Sequence, residues 1–220
     1  MEHSQILTHI DHTLLKAVSD WDGIVRLCEE AVANQTASVC VPPSYIARIR
    51  AAYPALNICT VIGFPLGYHT TEVKVFEAKQ ALKDGADELD MVVNLGDVKN
   101  GDMDKVTAEI AALKEVAGAH ILKVIIETCY LTEEEKIALC HCVTDGGADY
   151  IKTSTGFGTG GATLEDVELF AKHIGAGVKI KAAGGVKTEA DLVAFLEAGC
   201  DRIGTSSAVS ILTSGQAGSY

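Results

Sequence analysis

ADYIKTSTG (148–156) and GVKIKAAGG (177–185) each run a short apolar segment into a glycine-rich loop, and each carries a lysine inside the segment, Lys152 and Lys181. Successive side chains on a strand point to opposite faces. Lys152 therefore faces away from Ile151, and Lys179 and Lys181 face away from Ile180. Taking an ammonium out of water is costly unless a partner or a reaction offsets it, so two lysines placed this way point to amine chemistry. A buried amine beside a second cation holds its proton less tightly, and the neutral nitrogen can attack a carbonyl to form a Schiff base.

The same strand-then-loop unit recurs outward from these two. ILTHID (6–11), ASVCV (37–41), NICTVIGF (57–64), ADELDMVVN (86–94), HILKVIIET (120–128) and DRIGTS (201–206) read as strands, and with ADYIKT (148–153) and GVKIKAA (177–183) they make eight. The intervening segments are each long enough for a helix. Thr132 with Glu135, Thr163 with Asp166 and Thr188 with Asp191 carry the spacing of helix N-terminal caps. Alternating strands and helices build a parallel sheet, and eight such units close into a (β/α)₈ TIM barrel, here trimmed below the usual length of about 250 residues. No GxGxxG follows the first strand, which tells against an open doubly wound sheet. The 220 residues are expected to form one compact domain, with 214–220 a flexible Gly/Ser-rich tail.

Composition narrows the partners. A formal charge of −12 disfavours nucleic acid and anionic membrane surfaces, both of which select basic patches. An anionic small substrate then requires a local positive pocket. Seven cysteines, odd in number and scattered, do not read as a disulfide framework and favour a reducing cytoplasm. No apolar run approaches membrane-spanning length, and the N-terminus lacks a basic segment followed by an apolar one.

In a barrel the outer strand face meets apolar helices, so Asp90, Lys123, Lys152, Lys179 and Lys181 are expected to point inward. Such charges can form a purely structural ion-pair layer. Lys152 and Lys181 stand apart because they lie at the C-terminal strand ends, where barrel active sites sit. The reading assigns the attack on an aldehyde to Lys152, a retained ammonium that lowers the proton affinity of Lys152 to Lys181, and proton transfer through a water to Asp90. STGFGTGG (154–161), AAGG (182–185) and GTSS (204–207) offer backbone N–H groups for a phosphate, with Ser206 and Ser207 opening a final helix. Tight turns alone would account for AAGG. Cys140, His141 and Cys142 are adjacent on a helix and cannot converge on one ion, so neither a metal nor any other cofactor is expected.

The stretches IKTSTGFGTGGAT, KAAGGVKT, ADELDMVVN, KVIIET, IDHTLL and GTSS together closely resemble the bacterial deoxyribose-phosphate aldolases, over nearly the whole chain. The resemblance implies a class I aldolase on a (β/α)₈ barrel. Its reaction is the reversible cleavage of 2-deoxy-D-ribose 5-phosphate into D-glyceraldehyde 3-phosphate and acetaldehyde. It carries the Schiff-base role onto Lys152, the tuning role onto Lys181 and the proton relay onto Asp90, and it adds Asp11, Thr13 and Cys40 beside the substrate. Substrate contacts are expected from Lys123, Thr155, Gly156, Gly184, Gly185, Ser206 and Ser207, and barrels of this family are often homodimers. Some members carry a lysine directly after STG, where this chain has Phe157; some end in a tail whose last tyrosine helps protonate the enamine, the counterpart here being Tyr220. The competing readings are a Schiff-base transferase acting on another phosphosugar, a silent phosphosugar-binding regulator and a metal-dependent aldolase.

Overall fold

The computed structural model describes residues 1–214. In its first half lie α1 (His3–Leu7), β1 (Ile10–Thr13), α2 (Trp21–Asn34), β2 (Ser38–Val41), α3 (Ile46–Ala52), β3 (Ile58–Ile62), α4 (Thr71–Asp84), β4 (Glu88–Val92), α5 (Leu95–Asn100) and α6 (Met103–Ala117). The second half adds β5 (Ile121–Ile125), α7 (Glu133–Asp145), β6 (Tyr150–Lys152), α8 (Leu164–His173), β7 (Lys179–Ala183), α9 (Glu189–Glu197), β8 (Arg202–Thr205) and α10 (Ala208–Ser214). The eight strands pair in chain order and all in parallel, and β8 returns to β1 to close the barrel.

Apolar residues on the outer strand faces, among them Val39, Val41, Leu89, Met91, Leu122, Val124, Ile151, Ile180 and Ile203, pack under the helices in one continuous core. The lumen is different. It carries Asp11, Glu88, Asp90, Lys123, Lys152 and Lys181, all buried, with a small apolar group of Cys40, Cys59 and Val61 on one side. The three helix caps form as the spacing predicts: Thr132, Thr163 and Thr188 each accept a backbone N–H from the residue three further on.

Three expectations need correction. The run at 6–11 is not one strand: Ile6 and Leu7 belong to α1, whose start is closed by reciprocal bonds between Glu2 and Gln5, and β1 begins only at Ile10. Strands β4, β6 and β7 also begin two residues later than expected. The Asp87 and Asp149 carboxylates accept the backbone N–H of Ile58 and Leu122 on the preceding strand, each at 2.8 Å, and so mark the sheet's lower edge. Third, Ser214, expected to start the tail, is the last residue of α10. The rest of that tail, with Tyr220, lies outside the described residues.

Candidate active site

One carboxylate organises the lumen. Asp90 Oδ2 accepts from Lys152 Nζ and from Lys181 Nζ, each at 2.7 Å, while Oδ1 accepts from Lys123 Nζ at 2.8 Å and from the Cys59 thiol at 3.1 Å. The strands dictate this meeting: Asp90 pairs in register with Lys123, Lys152 with Lys181, and Lys181 with Arg202. Beneath them Lys123 also reaches Glu88 Oε2 at 2.6 Å and Asp11 Oδ2 at 3.6 Å, Lys181 bonds Asp11, and Arg202 bonds both Asp11 and Glu88. Ser38 Oγ donates to Asp11 Oδ1 at 2.8 Å.

Burial penalises every charge here, and the partners decide the outcome. At Lys181 burial is outweighed by Asp11 and Asp90, which hold its ammonium above the ordinary lysine range. At Asp90 burial is outweighed by Lys123, Lys152 and Lys181, and its carboxyl is held well below the usual carboxylate range. Asp11 is depressed in the same way, chiefly by Lys181 and Lys123 against burial. The described lumen thus sets four cationic side chains, Lys123, Lys152, Lys181 and Arg202, against three carboxylates, Asp11, Glu88 and Asp90. The charges balance when one amine is neutral. Lys152 has one carboxylate partner, Lys181 two and Lys123 three.

Lys152 is also the lysine that meets open space. It lies in the floor of a cavity of about 610 Å³ at the C-terminal end of the strands, the face on which barrels place their sites. Of the other expected residues, Thr13, Thr155, Gly156, Gly184, Gly185, Ser206 and Ser207 line that cavity with it. Asp11, Cys40, Lys123, Asp90 and Lys181 are fully buried and sit below or beside the floor rather than in the wall. Phe157 lines the rim, its ring edge-on to Phe64 with centroids 5.3 Å apart. Lys179, expected inward, is exposed: it is the first residue of β7, at the lower rim, 3.8 Å from Asp201 and over the Tyr150 ring.

Sequence reasoning passed over several contributors. Lys16 and Lys187 line the cavity and supply the local positive charge that an acidic protein needs for an anionic ligand. Their signal was position alone, each standing a few residues past the end of a strand. Arg202 and Cys59 share the inward parity of their strands and complete the network below Asp90. Cys59, Asp90 and Cys40, and likewise Asp11, Cys59 and Glu88, lie close enough together to suggest an ion site. The same carboxylates already receive ammonium or guanidinium groups, which would repel a cation. Cys140 and Cys142 are buried and His141 exposed, as helix packing predicts.

Residues 6–213 match the DeoC/LacD family of aldolases. The chain belongs to that family. Relatives of this aldolase are similar along almost its entire length. A deoxyribose-phosphate aldolase of Clostridium botulinum (strain Eklund 17B / Type B) is 66% identical over 213 residues, 96% of each chain. One of Clostridioides difficile (strain 630) is 58% identical over the same length, again 96% of each. The tetrameric deoxyribose phosphate aldolase of Aeropyrum pernix superposes on the aldolase with a TM-score of 0.89 at 32% identity, covering 97% of this chain and 92% of that one.

Proposed function

We propose that this aldolase reversibly cleaves 2-deoxy-D-ribose 5-phosphate to D-glyceraldehyde 3-phosphate and acetaldehyde, with Lys152 as the Schiff-base nucleophile. The observation that carries the reading is the shared oxygen: Asp90 Oδ2 holds both Lys152 Nζ and Lys181 Nζ at 2.7 Å, with Lys152 alone of the two facing the cavity. Neutral Lys152 attacks C1 of the open-chain sugar, and loss of water from the carbinolamine gives an iminium. The iminium draws the electrons of the C2–C3 bond as that bond breaks and the C3 hydroxyl gives up its proton. Glyceraldehyde 3-phosphate departs, and an enamine remains on Lys152. Protonation at C2 and hydrolysis then release acetaldehyde and restore the amine. Asp90, ionised and next to the reacting nitrogen, relays the protons through water, and Lys181 keeps the positive charge that favours a neutral Lys152.

The far end of the substrate meets the cavity wall formed by Thr155, Gly156, Gly184, Gly185, Ser206 and Ser207, with Lys16 and Lys187 adding charge. That combination of amides, hydroxyls and ammonium groups suits a phosphate. The remaining readings are a cytoplasmic location, supported by seven cysteines that are all free thiols, and a homodimer, which sedimentation would distinguish from the tetramer of the Aeropyrum pernix protein. No helix among the described residues is long and apolar enough to cross a membrane. The deciding experiment is incubation with acetaldehyde followed by borohydride reduction and peptide mapping. An N-ethyl group on Lys152 is the expected product, and labelling only at another lysine defeats the assignment.

A further inference from the structure

Two residues past the end of β5 stands Glu127, buried and in the left-handed backbone region at φ +53°, a conformation that a residue with a Cβ adopts at a cost. Its neighbours hold it there: Ile126 N donates to Lys152 O at 3.1 Å and Thr128 N to Thr153 O at 2.9 Å. The twist aims the carboxylate under the loop that follows Lys152. Thr155 N donates to Glu127 Oε1 at 3.1 Å, and the Thr155 hydroxyl donates to Oε2. The same hydroxyl accepts Phe157 N at 3.0 Å, so one carboxylate secures the backbone on both sides of Gly156. The loop then closes tightly over it. A Cβ at Gly158 would lie 3.1 Å from Glu127 Cδ and 2.8 Å from Cys129 Sγ.

We infer that Glu127 is a positioning residue for the substrate's anionic group: it shapes the 155–157 turn so that Thr155 and Gly156 present to the cavity. Nothing about an anion would call for a carboxylate at its binding site unless that charge were consumed from behind, and here the loop's own N–H and O–H groups consume it. Gly156, at φ +85°, lies between the two anchored amides and lines the cavity. The role is separate from that of Lys152, whose amine is held by Asp90. This inference rests on the phosphosugar reading above.

The test compares the parent enzyme with Glu127→Ala and Glu127→Gln, measuring kcat and KM on 2-deoxy-D-ribose 5-phosphate and on unphosphorylated 2-deoxy-D-ribose, with thermal melting to establish folding. In Glu127→Ala the parent's preference in kcat/KM for the phosphorylated sugar shrinks about tenfold, mainly through a higher KM, as expected for losing charged hydrogen bonds that order a binding loop. Glu127→Gln keeps an acceptor for Thr155 N and loses about threefold. Should the alanine variant not fold, the glutamine variant decides. An undiminished preference in a folded variant overturns the inference and leaves the phosphosugar reading standing. Equal falls in kcat on both sugars also overturn it, since they would tie Glu127 to Lys152 instead. A parent enzyme with no preference for the phosphorylated sugar sinks both.

Discussion

Two sets of buried lysines occupy this barrel, and burial does not tell them apart. Lys74, on α4 outside the sheet, is as fully enclosed as Lys181 inside it. Its Nζ donates to Val92 O and to Glu109 Oε2, each at 2.8 Å, so one ammonium meets one carboxylate and one carbonyl. Burial pulls Lys74 below the ordinary lysine range, with Glu109 opposing. Inside the barrel four cations share three carboxylates, and of the four Lys152 lines the cavity. A depressed amine becomes a nucleophile only where a carbonyl can reach it. Charge surplus and access, rather than enclosure, separate the lysine proposed as the nucleophile from the structural one.

Mutations on the two sides should break or sharpen that contrast. The largest effect belongs to Lys152→Ala, which removes both turnover and borohydride trapping, a loss of about 10⁴-fold or more in rate. Retained trapping would mean that another lysine carries the chemistry. Lys181→Met comes next, with a rate loss of about 10²-fold. Asp11 and Asp90 keep Lys181 charged throughout the working range, so its removal deprives Lys152 of a cationic neighbour. An amine without that neighbour retains its proton to higher pH, and the rising limb of the kcat/KM profile therefore moves to higher pH. A limb that stays in place leaves Lys181 a purely structural cation.

The smallest effect on catalysis comes from the outer pair. Lys74→Met strands Glu109 in the interior and lowers unfolding free energy by about 3 kcal/mol, measured in urea, while trapping per folded molecule is unchanged. Lys74→Met with Glu109→Met recovers most of that loss, because two apolar side chains replace a pair whose attraction does not offset the cost of burying its charges. A fall in trapping with the single variant would place Lys74 in the working of the site after all.

How far the chain could be read in advance follows the same divide. Strand alternation was enough to turn Asp90, Lys123, Lys152 and Lys181 inward, because each lies mid-strand or at the upper end, where parity alone sets direction. It misjudged Lys179, since parity reports which way a side chain points but not how high it stands, and the first residue of β7 opens to water at the rim. Lys74 was invisible for another reason. In TEVKVFEAKQ it reads as part of a charged helix face, and it is enclosed only because Gly63 leaves room: a Cβ there would lie 2.9 Å from Lys74 Cε. Glu127 sits in KVIIET as one more residue of a strand-like run, and nothing in local composition announces a left-handed backbone two residues beyond the strand. Long-range packing decided the last two.

The lumen below Asp90 is filled, with Lys123, Asp11, Glu88 and Tyr150 all buried, and among the described residues the cavity lies above Lys152. A vessel with a single mouth makes departure sequential. With Lys152 as the proposed nucleophile, the fragment bearing the phosphate stands nearer the exit and carries no covalent tether, whereas the two-carbon fragment is still bonded at the bottom. On the proposed assignment of Lys152, glyceraldehyde 3-phosphate leaves first and, in the synthetic direction, acetaldehyde enters first, an ordered scheme that follows from the stacking of the barrel's interior.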